Sequence, residues 1–408
     1  MKNARFVSLS SVSALAVLLI VMTAQSNPVV YADHADTPAG AQALSAAFPR
    51  SAAVSPTVKF AAAVPYNSGG DPTFVAIGDL NGDGHPDLAV ASFCDPGCET
   101  GSVEVLLGNG DGTFQPPVSY GAGGCGYASV VIGDVNGDGK PDLIVGSTFQ
   151  NNQCDASGDG AVGVLLGNGD GTFQPPVSYD SGGYNTQGRT TASVAMADLN
   201  GDGHPDLVVA NSGSNSVGVL LNNGDGTFLA AISFSSGEYS ADSVAIADLN
   251  GDGHPDLVVA GGGVSVLLGN GDGTFQPAVG YSSSSAVAVA IGDLNSDGHP
   301  DILIGKNPAS SVDVLLGNGD GTFQPAVSYP AGGDSWAVAI ADVNGDGHLD
   351  LAVANGTGSG RTFTGEVSVL LGNGDGTFQA PQHHKTGGDL SCSVAVGDVN
   401  GDGRPDLV

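Results

Sequence analysis

Seven stretches of the chain set acidic and amide side chains at alternate positions around glycine. The first reads DLNGDGHPD, from Asp79 to Asp87. Counting Asp79 as position 1, side-chain oxygens fall at positions 1, 3, 5 and 9: Asp79, Asn81, Asp83 and Asp87. Gly84 permits a sharp turn, and His85 at position 7 offers its backbone carbonyl. Alternate residues of a tight loop point inward, so this spacing gathers hard oxygen donors around one point, as an EF-hand loop does, but ends in Asp at 9. Three carboxylates suit Ca²⁺, whereas Mg²⁺ demands tighter octahedral geometry.

The same donors recur without the loss of a position. They are Asp134, Asn136, Asp138, Lys140 and Asp142; Asp198, Asn200, Asp202, His204 and Asp206; and Asp248, Asn250, Asp252, His254 and Asp256. Three further sets are Asp293, Asn295, Asp297, His299 and Asp301; Asp342, Asn344, Asp346, His348 and Asp350; and Asp398, Asn400, Asp402, Arg404 and Asp406. Position 7 contributes only its carbonyl, so its side chain is expected to face solvent. One copy would be explained equally well as a run of Asx turns. Seven copies place half of the 42 acidic residues at ligand positions, where they repel one another unless neutralised. The expectation is up to seven structural Ca²⁺ ions and no catalytic residue.

Elements must hold these loops. The motif starts are 45 to 64 residues apart, a period of propellers and solenoids. A second motif alternates with the first: VLLGNGDGTFQ from Val105, Val164, Val266, Val314 and Val369, and VLLNNGDGTFL from Val219. A run such as SVAIADL precedes each Asp loop and DLVVA follows it; VSVLL and FQPAVSY complete the unit. These read as four short strands, A to D. Strand B is apolar on both faces, and Pro marks D as an edge. Asn-Gly and Asp-Gly give the hairpin turns. The fold class is thus all-β, a propeller of four-stranded antiparallel blades. A parallel β-helix, the main rival, has shorter repeats and no use for hairpins.

The count predicts seven blades. Phe60–Tyr66, FAAAVPY, resembles a D strand and precedes the first A strand, so it is expected to close the seventh blade. That blade lacks a C strand, because the sequence stops part-way through B at Val408. The reading is a propeller over 59–408 that continues in a longer protein.

The chain has 408 residues, 41% hydrophobic, with 66 Gly, and it carries Lys+Arg 10 against Asp+Glu 42, a formal charge of −32. Such a charge repels nucleic acid and anionic membrane surfaces. Residues 1–26 read as a signal peptide: Lys2 and Arg5, then an apolar Ala14–Met22 too short to span a bilayer, then small residues at Ala24 and Ser26. An uncleaved anchor is the alternative. Residues 27–58, rich in Ala, Pro and Ser, read as a linker. Export to the cell surface or medium, with no transmembrane span in the mature chain and a monomeric propeller, follows from this reading.

Export permits disulfides. Cys94 and Cys98 share one B–C loop, Cys125 and Cys154 emerge on the same face, and Cys392 is left over. A zinc site would need paired spacing that is absent. His383 and His384 either bind a transition metal or are chance surface residues. Asp111, Asp170, Asp225, Asp272, Asp320 and Asp375 of the NGDGT turns share the Asp-loop face, and read as turn formers rather than ligands.

The two motifs together resemble the FG-GAP/VCBS repeats, similar to the calcium-loop blades of the integrin α-subunit propeller. The resemblance covers about Lys59–Val408. It implies a seven-bladed propeller with Ca²⁺ in the A–B loops of one face. The GAP tripeptide is absent; Ser296 replaces a loop Gly and Leu349 a Pro, and neither change removes a ligand. Members include adhesins, lectin-like modules and a few enzymes.

Three functions fit. The first is a secreted or cell-surface module that binds a protein or carbohydrate through the face opposite the Asp loops. There the connections vary: Ala91–Gly101, Ser147–Gly160, Asp180–Arg189 and Asn355–Gly365. Tyr66, Tyr120, Tyr179, Tyr281, Tyr329 and Trp336 either stack on a ligand there or cap the core. The second is a calcium-dependent polysaccharide lyase, for which the non-repeat cations Arg189, Lys306, Arg361 and Lys385 are few and no nucleophile–base set is visible. The third is a scaffold module of a larger exported protein.

Overall fold

A computed structural model describes residues 7–9, 58–93, 101–149, 159–184, 193–281, 283–359, 362–388 and 391–408. Every regular element among them is a β-strand. Six sheets have four strands each in meander order. The first blade comprises Asp71–Gly78, Asp87–Phe93, Ser102–Leu106 and Val118–Gly121, and the fifth Ala286–Gly292, Asp301–Lys306, Ser311–Leu315 and Val327–Pro330. All neighbouring strands within these blades are antiparallel, as in Ile77↔Leu88, Leu88↔Leu106 and Val105↔Val118.

Burial follows the expected grading. Strand B is covered on both faces, as in Asp206–Asn211, which is buried throughout. Strand D is the outer edge, and Val118, Val177, Val279 and Val327 at its start are exposed. The apolar faces pack between blades: one cluster joins Leu80, Ala89 and Val105 of the first blade to Val130, Leu143 and Leu165 of the second.

The seven-blade expectation is corrected. Six blades are complete, and the last repeat forms a two-stranded sheet, Val396–Gly397 with Asp406–Leu407. Among the described residues no third strand bonds to that sheet. The N-terminal strand Val64–Tyr66 pairs instead, in parallel, with Val7–Leu9. The small unit nevertheless fills the gap between the sixth blade and the first. Val394, Val396 and Leu407 pack with Ala339 and Val369 of the sixth, alongside Phe60 and Ala63. Ala395 and Val399 pack with Val75, Ile77 and Phe114 of the first.

Candidate functional site: the Asp loops and the turns that bracket them

Each Asp loop joins strands A and B, and glycine lets it fold. Gly82 and Gly84 take φ of 75° and 83°, a region costly for residues with a Cβ. In the fifth blade Ser296 holds the same left-handed conformation, at φ 61°.

Within the first loop the acidic side chains turn inward onto backbone N–H groups. Asp79 Oδ1 accepts from Gly82 N at 2.8 Å, and Asp79 Oδ2 from Gly84 N at 2.8 Å. Asn81 Oδ1 accepts from Asp83 N at 2.8 Å, and Asp83 Oδ1 from His85 N at 2.8 Å. The bond from the His85 N–H holds the Asp83 carboxyl below its ordinary range, and the same bond acts at Asp252 and Asp297. The pattern repeats in the other loops, with Gly251 N on Asp248 Oδ1 and Gly253 N on Asp248 Oδ2 in the fourth.

Position 9 differs from the rest of the set. Asp87 is fully buried. Its Oδ2 accepts from Leu80 N at 2.8 Å, and its Oδ1 reaches the far hairpin of the blade to accept from Gly108 N at 2.6 Å. Asp142, Asp206, Asp256, Asp301 and Asp350 do the same, and Asp350 Oδ1 meets Gly372 N at 2.8 Å. Burial pushes these carboxyls up, to about 6 at Asp206 and Asp301 and to about 7 at Asp350, with the position-1 and position-5 aspartates adding to the rise.

At position 7 His85, Lys140, His254, His299 and Arg404 are exposed, as expected, whereas His204 and His348 are half-buried. A side chain on Gly110, Gly271 or Gly319 would collide with the ring of His85, His254 or His299, so each ring covers the first glycine of its own blade's NGDGT turn. His204, His348 and Lys140 cover Gly224, Gly374 and Gly169 in the same way.

The NGDGT turns are Asx turns. Asp170 Oδ1 accepts from Thr172 N at 3.0 Å and from Thr172 Oγ1 at 2.5 Å. The Thr hydroxyl, then its N–H, holds Asp170, Asp225, Asp272, Asp320 and Asp375 below the ordinary range. Each turn also touches the preceding blade. Gly171 N donates to Leu80 O at 3.2 Å, Gly273 N to Leu199 O at 3.0 Å, and Gly376 N to Leu294 O at 3.2 Å. Gly112 N donates to Val399 O at 3.1 Å, which ties the first blade to the last repeat. In the third blade Asn222 Nδ2 takes over and donates to Val135 O at 2.8 Å. An Asp loop therefore lies between two turns, one from its own blade and one from the next.

The donor chemistry fits a hard divalent cation: carboxylates, an amide oxygen and a carbonyl on one glycine-rich loop. Carboxylate oxygens that accept an N–H keep a lone pair for a metal. Among the described residues, no three His, Cys, Asp or Glu side chains already stand together as a metal cage.

The tyrosines are packing groups rather than exposed platforms. Tyr66, Tyr120, Tyr179, Tyr281 and Tyr329 each meet a phenylalanine of the next blade edge-on, Phe114, Phe173, Phe228, Phe323 and Phe378, at centroid distances of 5.3 to 5.5 Å. Phe234 does so with Phe275, and His384 with Phe60. The Tyr281 hydroxyl donates to Gly321 O at 3.2 Å, in the neighbouring turn. Trp336 is buried. His383 and His384 do not share a metal: His383 Nδ1 lies 2.6 Å from Glu366 Oε1 and 2.8 Å from Ser368 Oγ, while His384 sits against Phe60 on the other side of the strand. Lys306 is held 3.0 Å from the buried Asp313 carboxylate, and Lys385 is exposed. Arg189, Arg361, Cys94, Cys98 and Cys154 lie outside the described residues, so the disulfide expectations do too.

Among the buried acids that sequence reasoning missed, Asp242 has the strongest shift of its carboxyl. Asp242, at the start of the fourth A strand, is buried with Ser240 Oγ at 2.6 Å, and burial pushes its carboxyl up to about 7. Its position in the repeat holds Thr73, Ala128, Ala192, Val287, Trp336 and Cys392 elsewhere, so no periodic signal marks it.

Fold and loops together define a repeat propeller with acidic A–B hairpins on one face. The chain belongs to the FG-GAP-like repeat family, whose model matches residues 79–145, 156–209, 198–259, 248–304, 293–353 and 354–408. It is similar to integrin alpha-7 of Homo sapiens, 33% identical over 150 residues, which cover 33% of this chain and 12% of the relative. It is also similar to the phosphatidylinositol-glycan-specific phospholipase D of Bos taurus, 28% identical over 208 residues, covering 45% of this chain and 23% of the relative. The chain thus spans less than a quarter of the length of either. Among solved structures, a putative 6-phosphogluconolactonase from Bacteroides uniformis superposes with a TM-score of 0.56 at 12% identity, over 83% of this chain and 88% of that one, which reflects the fold alone.

Proposed function

We propose that the chain is an exported, calcium-stabilised binding module that recognises an extracellular protein or carbohydrate. The observation that carries this reading is the division between its faces. On one, hydrogen bonds accepted by Asp position 9 and donated by the NGDGT glycines fix loop to turn and blade to blade. On the other, the B–C and D–A connections differ in length and sequence from repeat to repeat. A rigid scaffold with variable loops at one end is the usual arrangement of a recognition surface. The similarity to an integrin α subunit supports the same reading.

In this proposal Ca²⁺ sits in the Asp loops, held by side chains at positions 1, 3, 5 and 9 and the carbonyl at 7. The ion neutralises carboxylates that the fold crowds together; recognition belongs to the other face. The test is binding of the immobilised protein to arrays of polysaccharides and extracellular matrix proteins, with Ca²⁺ and with chelator. Binding that is lost when connections such as Asp180–Arg189 are exchanged for the short form of the fourth blade supports the module. Binding unaffected by every such exchange would sink it. Turnover of a polysaccharide would favour the lyase instead.

A further inference from the structure

Apart from the buried strand pair Asn355–Gly356, the repeats carry Asn-Gly pairs in the Asp loops and in the NGDGT turns, and hydrogen bonding separates these two settings. An Asn-Gly pair loses ammonia when the glycine nitrogen gives up its proton and attacks the Asn Cγ. The new C–N bond closes a succinimide as the Cγ–Nδ2 bond breaks. Water then opens the ring to aspartate or isoaspartate. An N–H donated to a carboxylate or amide oxygen keeps its proton and is aimed away from the asparagine side chain.

In five Asp loops the glycine nitrogen is capped in this way. Gly82, Gly201 and Gly251 donate to position-1 Oδ1 at 2.8 Å, and Gly137 and Gly345 at 2.7 Å. In the NGDGT turns it is not. Among the described residues no acceptor meets the N–H of Gly110, Gly169, Gly271, Gly319 or Gly374. The preceding asparagines, Asn109, Asn168, Asn270, Asn318 and Asn373, are exposed.

The third blade is an internal control. Its turn reads NNGDGT, and Gly224 N donates to Asn222 Oδ1 at 2.8 Å. The side chain of Asn223 is otherwise held like its counterparts, with Nδ2 donating to Thr227 Oγ1 at 2.9 Å as Asn109 donates to Thr113. Only the cap differs.

We propose that the turn asparagines of blades 1, 2, 4, 5 and 6 are modification sites that deamidate in the folded protein, while Asn223 and the asparagines of the capped Asp loops are protected. In the last repeat Gly401 N has no acceptor among the described residues, but Asn400 is half-buried and its Nδ2 donates to Asp406 Oδ2 at 2.7 Å, so it stands apart from the exposed turn asparagines. The modification leaves position 3 of five loops intact and adds negative charge and a lengthened backbone to the C–D turns.

The test ages the full chain in warm, mildly alkaline buffer. Peptide mapping and isoaspartyl methyltransferase labelling then follow each site. Asn109, Asn168, Asn270, Asn318 and Asn373 should lead, with Asn223 roughly tenfold slower, the rate equivalent of about one hydrogen bond. Asn222→Gly gives the third turn the sequence of the others and should bring Asn223 to their rate. Free peptides spanning 105–114 and 219–228 should react alike. Equal rates for Asn223 and Asn109 in the folded protein, or peptides that differ as the protein does, would overturn the proposal.

Discussion

Asp87 ties the two hairpins of its blade together: its Oδ1 accepts the Gly108 N–H at 2.6 Å across twenty-one residues of chain. The residue expected to finish a metal site is also a buried bracket for the NGDGT turn. Two roles on one side chain give separable outcomes. Asp87→Ala leaves the N–H groups of Leu80 and Gly108 buried without acceptors and should cost about 2–4 kcal/mol even in chelator. Asp83→Ala, at an exposed position, should cost little in chelator and should abolish the calcium response of its loop. Denaturant melts of both variants, with and without Ca²⁺, decide this; equal losses in chelator would refute the bracket.

Calcium itself should raise the unfolding midpoint reversibly. At a free concentration ten times the dissociation constant, each occupied site adds about 1.4 kcal/mol. Several sites together would rival the stability of an ordinary domain. Scanning calorimetry in excess Ca²⁺ and after chelation, with elemental analysis, measures this. An unchanged midpoint with no bound metal would leave the loops as capped turns alone.

The tyrosines act between blades. Tyr281→Ala removes an edge-on contact with Phe323 and a hydrogen bond to Gly321, and should destabilise by about 2–4 kcal/mol. Tyr281→Phe keeps the ring and should lose about 1 kcal/mol or less. Neither should change the affinity for a ligand of the connector face, as equilibrium binding would show. A loss of affinity in the stable Phe variant would return the tyrosines to recognition.

Asp242 predicts a pH dependence. Its folded carboxyl is pushed up to about 7, above its unfolded value, so ionising it opposes folding. The penalty is absent at pH well below the unfolded value, and grows as pH rises through the unfolded pKa until it is complete above the folded one. Asp242→Asn should therefore stabilise the chain at pH 8, by about 2 kcal/mol, and have little effect at pH 4. Melts of wild type and variant across this range test it. A variant less stable at pH 8 would mean that the carboxylate is paired in solution.

The repeat made much of this legible. DLVVA after each loop identified a doubly buried strand, and the loop spacing identified the acidic hairpins. Two periodic features carry more than the motif itself states. Tyr120 follows Phe114 by six residues, and the same step recurs at Tyr179, Tyr281 and Tyr329, a regularity that belongs to packing rather than to a variable surface. Position 9 opens an apolar strand, a sign of burial that its place in the donor series obscured. The seventh blade differs for another reason: Phe60–Tyr66 resembles a D strand in sequence, but Val64–Tyr66 pairs with Val7–Leu9 and not with the last repeat. Asp242 had no periodic signature, because the fold buries it through neighbours distant in sequence.

The contact from an NGDGT glycine to the preceding loop has one further consequence. In the first, fourth, fifth and sixth blades as in the second, it joins backbone to backbone, so it does not depend on which repeat stands next door. Units that meet through such a neutral handshake are interchangeable parts. At this bond a change of neighbour costs nothing, and the fit of a seam is left to the side chains packed beneath it. The third blade, where Asn222 makes the join with its side chain, is the one place where a copied unit brings its own coupling with it.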